Sequence, residues 1–151
     1  MNTAHAFCAL TFAALAVSAA GAAEGLIEIA SPHNAIETMD RLEQAAEERG
    51  LTVFARIDHA AGAESVGASL RPIELLIFGN PQGGTPFMEC AQSVGIDLPL
   101  KALVWEDGES RVWLGYNDPA FVAERHGAED CAVVENLQRA FASLAAAATA
   151  P

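Results

Sequence analysis

Residues Met1 to Ala23 contain no acidic or basic side chain, and all 8 basic and 20 acidic residues of the 151-residue chain follow them. This division constrains the fold most, because it separates a leader from the part that can build a core. An apolar run from Ala6 to Val17 passes into the small residues Ser18 to Ala23, the layout of a secretory signal and its cleavage site. The run is shorter than the roughly 20 residues that span a bilayer, so cleavage is expected rather than anchoring. A signal peptide over residues 1–23 implies a periplasmic or secreted protein with no membrane attachment afterwards. The n-region departs from the usual pattern in lacking Lys and Arg.

The chain after the leader keeps the whole formal charge of -12. Nucleic acids and anionic membrane surfaces need a basic face, so neither is an expected partner. Apolar residues at 52% and charged residues at 19% suit a globular domain with a real core. Two cysteines remain, Cys90 and Cys131. In an oxidising compartment an even pair reads as a disulfide.

Turn residues cut the chain into short elements. Gly25 to Ala30 reads as a strand. Ser31-Pro32, or the capping box Asn34-x-x-Glu37 just after it, opens a helix carrying Ile36, Met39, Leu42 and Ala46, which Gly50 ends. Leu51 to Asp58 reads as a strand with Val53, Ala55 and Ile57 on one side and Phe54, Arg56 and Asp58 on the other. His59 to Leu70 has no clear pattern. Pro72 to Phe78 is apolar enough for a central strand. Gly79 to Gly84 reads as a break, with a short helix starting at Thr85-Pro86 and ending at Gly95. Lys101–Glu106 and Arg111–Asn117 read as strands joined through Asp107-Gly108, a hairpin signal. Asp118-Pro119 opens a helix stopped by Gly127, and Val134, Leu137, Phe141 and Leu144 mark the face of a last one. The expected fold is α+β: a two-layer sandwich of an antiparallel sheet of about five strands, with helices packed on one face. One domain over residues 24–146 and a disordered tail at 147–151 are expected.

Motifs that carry chemistry are few. Gly79-x-x-x-x-Gly84-Thr85 sits like a phosphate-binding loop but lacks the lysine that reaches the phosphates. It reads as a tight strand-to-helix turn or, at most, an anion seat. His33, His59 and His126 show no metal-ligand spacing. His126 suits the C-terminal end of a helix as a cation. Gly62-Ala63-Glu64-Ser65-Val66-Gly67 misses the Gly-x-Ser-x-Gly elbow by one residue. Cys90 beside a His59 base is conceivable as a nucleophile, but disulfide pairing explains Cys90 with less. Glu106, Asp107 and Glu109 read as solvated turn carboxylates. Trp105, Trp113 and Tyr116 read as cross-strand aromatics of the core or of a dimer surface. No cofactor is indicated.

Several blocks in order carry a resemblance. They are Phe54-Ala55-Arg56-Ile57-Asp58-His59-Ala60-Ala61, then Leu70-Arg71-Pro72-Ile73-Glu74-Leu75-Leu76-Ile77-Phe78-Gly79-Asn80-Pro81. Leu98 to Asp107 follows, with Tyr116-Asn117-Asp118-Pro119 and Arg125-His126-Gly127. Together they resemble the family known as domain of unknown function 302, over nearly the whole chain after the leader. The resemblance implies a compact α+β domain with an antiparallel sheet that associates as a homodimer, and it implies no activity. It also implies that the cysteine pair is a feature of exported members. The matching blocks supply His59, Arg71 and Asn117 as candidate ligand-binding residues. The leading expectation is an exported, non-catalytic ligand-binding or accessory module that holds a small ligand or a metal ion or docks to a partner. The alternative is a small periplasmic enzyme with His59 and Arg71 as acid/base and anion anchor. Convergence of His59, Arg71 and Asn117 on one pocket favours a ligand-binder or an enzyme, and scattering favours an interaction protein.

Overall fold

A computed structural model describes residues 23–151; apart from Ala23, the expected signal peptide lies outside the described residues. The elements in chain order are β1 (Leu26–Ser31), α1 (Ala35–Glu48), β2 (Thr52–Asp58), α2 (His59–Glu64), β3 (Ile73–Gly79) and α3 (Pro81–Cys90). A 3₁₀ turn over Gln92–Ile96 leads to β4 (Leu100–Glu106), β5 (Val112–Asn117), α4 (Pro119–His126) and α5 (Val134–Thr149). The strands form one sheet in the order β1-β5-β4-β3-β2. Every neighbouring pair is antiparallel.

The sequence explains why these elements form where they do. Of the two possible starts for α1, the later one is used: Asn34 accepts a hydrogen bond from the Glu37 N–H at 2.9 Å. Gly50, at φ +71°, turns the chain out of α1. Asp118 caps α4 through the Ala120 N–H at 2.9 Å, and Gly127 ends it at φ +66°. Packing then follows from the apolar stripes. Met39 and Leu42 of α1 and Phe141 and Leu144 of α5 bury against Leu76, Phe78, Val104 and Leu114 of the sheet. Each such side chain contributes about 1.5–3 kcal/mol when removed from water. The stack of Tyr116 on Phe141, 4.4 Å between ring centroids, fixes where α5 crosses β5. A second cluster of Phe87, Val94, Ala123, Val134 and Leu137 joins α3, α4 and the start of α5.

Five local expectations change. Helix α3 begins at Pro81, so Gly83 and Gly84 lie inside it rather than in a loop before it. It ends at Cys90, and Gly95 belongs to the following 3₁₀ turn. The register of β2 shifts between Val53 and Ala55. Val53 therefore pairs with core-facing Phe78 and Arg56 with core-facing Leu76, and Phe54 is left 58% exposed. The aromatic trio divides: Trp105 pairs with Trp113 on the helix-free face, while Tyr116 is in the core. Lastly, α5 does not fray at its alanines. It runs to Thr149, with Ala145 and Ala148 fully buried, so residues 147–149 belong to the packed helix. The Arg41 guanidinium donates to the carbonyls of Ala147, Ala148 and Ala150, supplying the unpaired carbonyls at the end of α5 with donors.

Candidate functional site

The three residues singled out by sequence do not share a pocket. His59 is the first residue of α2, exposed, on a helix that buries no side chain. Its neighbour Asp58 caps α2 by accepting from the Ala61 N–H at 2.8 Å. Arg71 is exposed just before β3 and leans to the β4–β5 hairpin, where its Nη1 is 4.0 Å from the place a Gly108 Cβ would take. Asn117 ends β5 on the far side of the sheet, three strands from β2 and at the opposite end. At about 4.8 Å between strands and 3.3 Å per residue, it stands roughly 20 Å from His59. Asn117 instead borders a small cavity of about 210 Å³ with Asp97, Lys101 and Pro119. The Lys101 ammonium there donates to the Asp97 and Pro99 carbonyls, both at 2.9 Å.

The larger concavity is elsewhere, between α3, α5 and the sheet end where β3 stops and β4 starts. Its volume is about 570 Å³, within the usual span for small-molecule sites. Leu137, Phe141 and Leu144 of α5 form one wall, Pro81 to Thr85 of α3 another, and Leu98 to Leu100 the floor. Phe54 and Met88 stand at the rim, 58% and 36% exposed. The bulge that throws Phe54 out of the sheet therefore builds this rim.

The chemistry of the lining is narrow. Among the described residues that line it, none is Asp, Glu, Lys, Arg, His, Cys or Tyr; the polar ones are Asn80, Gln82, Thr85 and Asn136. Nothing there can exchange a proton near neutral pH, and no anchor for a charge is present. The helix start offered as an anion seat is mostly occupied, leaving the Gln82 N–H. Pro81 has no N–H, the Gly83 N–H donates to Asn80 Oδ1 at 2.9 Å, and the Gly84 N–H donates to the Asn80 carbonyl at 3.2 Å. Gly83 and Gly84 leave this wall without side chains. A Cβ on either would meet its nearest neighbour at 3.5 Å, ordinary contact, and neither has positive φ. Two glycines that cost about 1 kcal/mol each against alanine inside a helix are thus not demanded by local packing. What they preserve is the open volume.

Sequence reading missed one hydrogen-bonded cluster, since its members are 29 and 33 residues apart. His126 Nδ1 meets Ser93 Oγ at 2.9 Å, and His126 Nε2 meets Asp97 Oδ2 at 2.7 Å. Arg125 also donates to Asp97, at 3.1 Å. The residue types are those of a serine-hydrolase triad, yet neither Ser93 nor His126 borders either cavity. The cluster fastens the 3₁₀ turn to the end of α4. His126 therefore does more than sit at a helix end: its side chain is only 8% exposed. The disulfide Cys90–Cys131 is present, with Cα atoms 6.0 Å apart. It joins the end of α3 to the segment before α5, behind the larger cavity. Among the described residues no group of three His, Cys, Asp or Glu is placed to hold a metal ion.

The family model for "Domain of unknown function DUF302" matches residues 27–144. The chain belongs to this family. A solved relative of the same family, an uncharacterised conserved protein from Bacillus stearothermophilus, superposes with a TM-score of 0.71 at 18% identity. That likeness covers 81% of this chain and 96% of the other, and it shows the fold. Curated relatives include proteins named fluoride-specific ion channel FluC 1 from Brucella suis biovar 1 (strain 1330) and Brucella abortus biovar 1 (strain 9-941). Each is 50% identical over 102 residues, 68% of this DUF302 chain. The chain spans only 40% and 38% of their lengths. No helix among the described residues is long and apolar enough to cross a membrane. The channel name therefore stays with those relatives.

Proposed function

We propose that this DUF302 domain is a non-catalytic binding module that holds a small apolar molecule between α3 and α5. One observation carries the reading: a cavity of about 570 Å³ whose described lining contains no titratable side chain. Acid–base and nucleophilic catalysis need such groups within reach of the substrate, whereas retention of an apolar ligand needs apolar walls and a few neutral polar groups. The separation of His59, Arg71 and Asn117 leaves the enzyme alternative without a pocket of its own and by itself favours an interaction protein; the separate cavity between α3 and α5 is what supports ligand binding instead. Export, signal cleavage and homodimerisation accompany the reading as proposals. N-terminal sequencing of protein recovered outside the cytoplasm tests the first two, and sedimentation equilibrium tests the third.

The test of binding is displacement of an environment-sensitive fluorophore, phenylnaphthylamine. The wild-type protein should enhance its emission saturably, and Ala140→Trp should abolish the enhancement. Ala140 is an exposed residue on the cavity wall, so the indole fills the space without entering the core. Equal enhancement by wild type and Ala140→Trp, or none by wild type, contradicts the reading.

A further inference from the structure

We propose that the cavity between α3 and α5 selects an uncharged lipophile whose polar end accepts hydrogen bonds, such as the carbonyl of an ester, a ketone or a quinone. The inference rests on the binding reading above and names the ligand class that the lining recognises. Three observations carry it. The described lining has no cation to meet a carboxylate or phosphate and no carboxylate to meet an amine. A charged head group would lose its water there with no compensating partner, a cost that grows steeply as the site closes. The α3 start offers little to an anion, because Asn80 already engages the N–H groups of Gly83 and Gly84.

Of the four polar residues in the lining, Asn80 and Asn136 have a fixed sense, while Gln82 and Thr85 can donate or accept. Asn80 must present Oδ1 to the Gly83 N–H, at 2.9 Å, which sets its amide orientation and leaves Nδ2 as the free end. Asn136 Oδ1 accepts from Arg139 Nη2, so its free end is also Nδ2. Among the described residues neither Nδ2 has a protein acceptor, and both residues line the cavity. Two neutral donors on residues that border an apolar volume complement a neutral acceptor.

A series of one chain length separates the possibilities: methyl laurate, dodecane, laurate and dodecylamine, each competing with phenylnaphthylamine at neutral pH and below micellar concentration. Methyl laurate should displace the fluorophore at a concentration at least about tenfold lower than laurate or dodecylamine does. Asn136→Leu should narrow the advantage of methyl laurate over dodecane while dodecane still competes, which also shows that the variant is folded. Laurate or dodecylamine competing as well as methyl laurate overturns the selectivity and leaves the cavity as an apolar binding site. An unchanged ester advantage in Asn136→Leu likewise overturns the role given to the amide donors. If no compound competes, or if Ala140→Trp competes as wild type does, the binding reading itself fails.

Discussion

Asp107 holds the β4–β5 hairpin with a single carboxylate. It accepts from the N–H groups of Glu109 and Arg111 at 2.8 and 3.0 Å, and from the Arg111 guanidinium and the Trp113 indole at 2.9 Å each. The Trp113 indole N–H first, and then the Arg111 backbone N–H, hold this carboxyl well below the usual carboxylate range. A folded-state value below the unfolded one, about 3.9 for Asp, means that the stabilisation is complete above pH ~4 and lost as pH falls through the folded value. The Trp113 indole proton resonance should hold its position from neutrality to that point and move only in stronger acid. Movement beginning near neutrality would contradict the assignment. On the same face Gly115 lets Trp105 lie flat: a Cβ there would come within 2.8 Å of Trp105 Cζ3. Gly115→Ala should cost about 1–3 kcal/mol by forcing the ring aside, measured by urea unfolding. The Asp107-Gly108 signal was legible as a turn. The bulge at Phe54 was not, because strict alternation fits residues 51–58 equally well and only pairing with β3 reveals the extra residue.

At the scale of elements, α3 is the weak wall of the cavity. It contains Gly83, Gly84 and Pro86 in ten residues, and each lowers helix stability. Phe87, 1% exposed, and the disulfide at Cys90 hold it in place. The bond spans 41 residues of sequence, for which chain entropy gives about 4 kcal/mol. Cys90→Ser with Cys131→Ser should lower stability by roughly 3–4 kcal/mol in urea unfolding and weaken fluorophore binding as α3 loosens. Unaltered binding in a folded double variant would show that α3 needs no tether. Gly84→Ala should have the opposite effect on stability, raising it by up to about 1 kcal/mol in urea unfolding, while also reducing fluorophore binding. The cysteine pairing was legible from the even count that remains once residues 1–23 are read as a leader. The start of α3 was not, since a Gly-Gly pair ordinarily marks a loop, and here Pro81 and the Asn80 cap outweigh it.

Across the whole molecule, short apolar runs, turn residues and one hairpin signal made the α+β class legible, an antiparallel sheet of about five strands with helices on one face. The order β1-β5-β4-β3-β2 was not, because long-range pairing leaves no local pattern. The cavity was not, because it is bounded by residues from Leu51 to Leu144 that no local spacing connects. Only polar and reactive residues stand out in sequence, which is why His59, Arg71 and Asn117 were the candidates. The concavity is made instead of leucines, glycines and carboxamides, which carry no motif. The measurement closest to the central claim is chemical-shift mapping by NMR of the oxidised, isotope-labelled protein titrated with methyl laurate. The account predicts saturable shifts concentrated at Gly83, Gly84, Leu98, Leu137 and Ala140, with His59, Arg71 and the Trp113 indole unmoved. Shifts centred on α2 or on the helix-free sheet face, with the cavity residues unmoved, would contradict it.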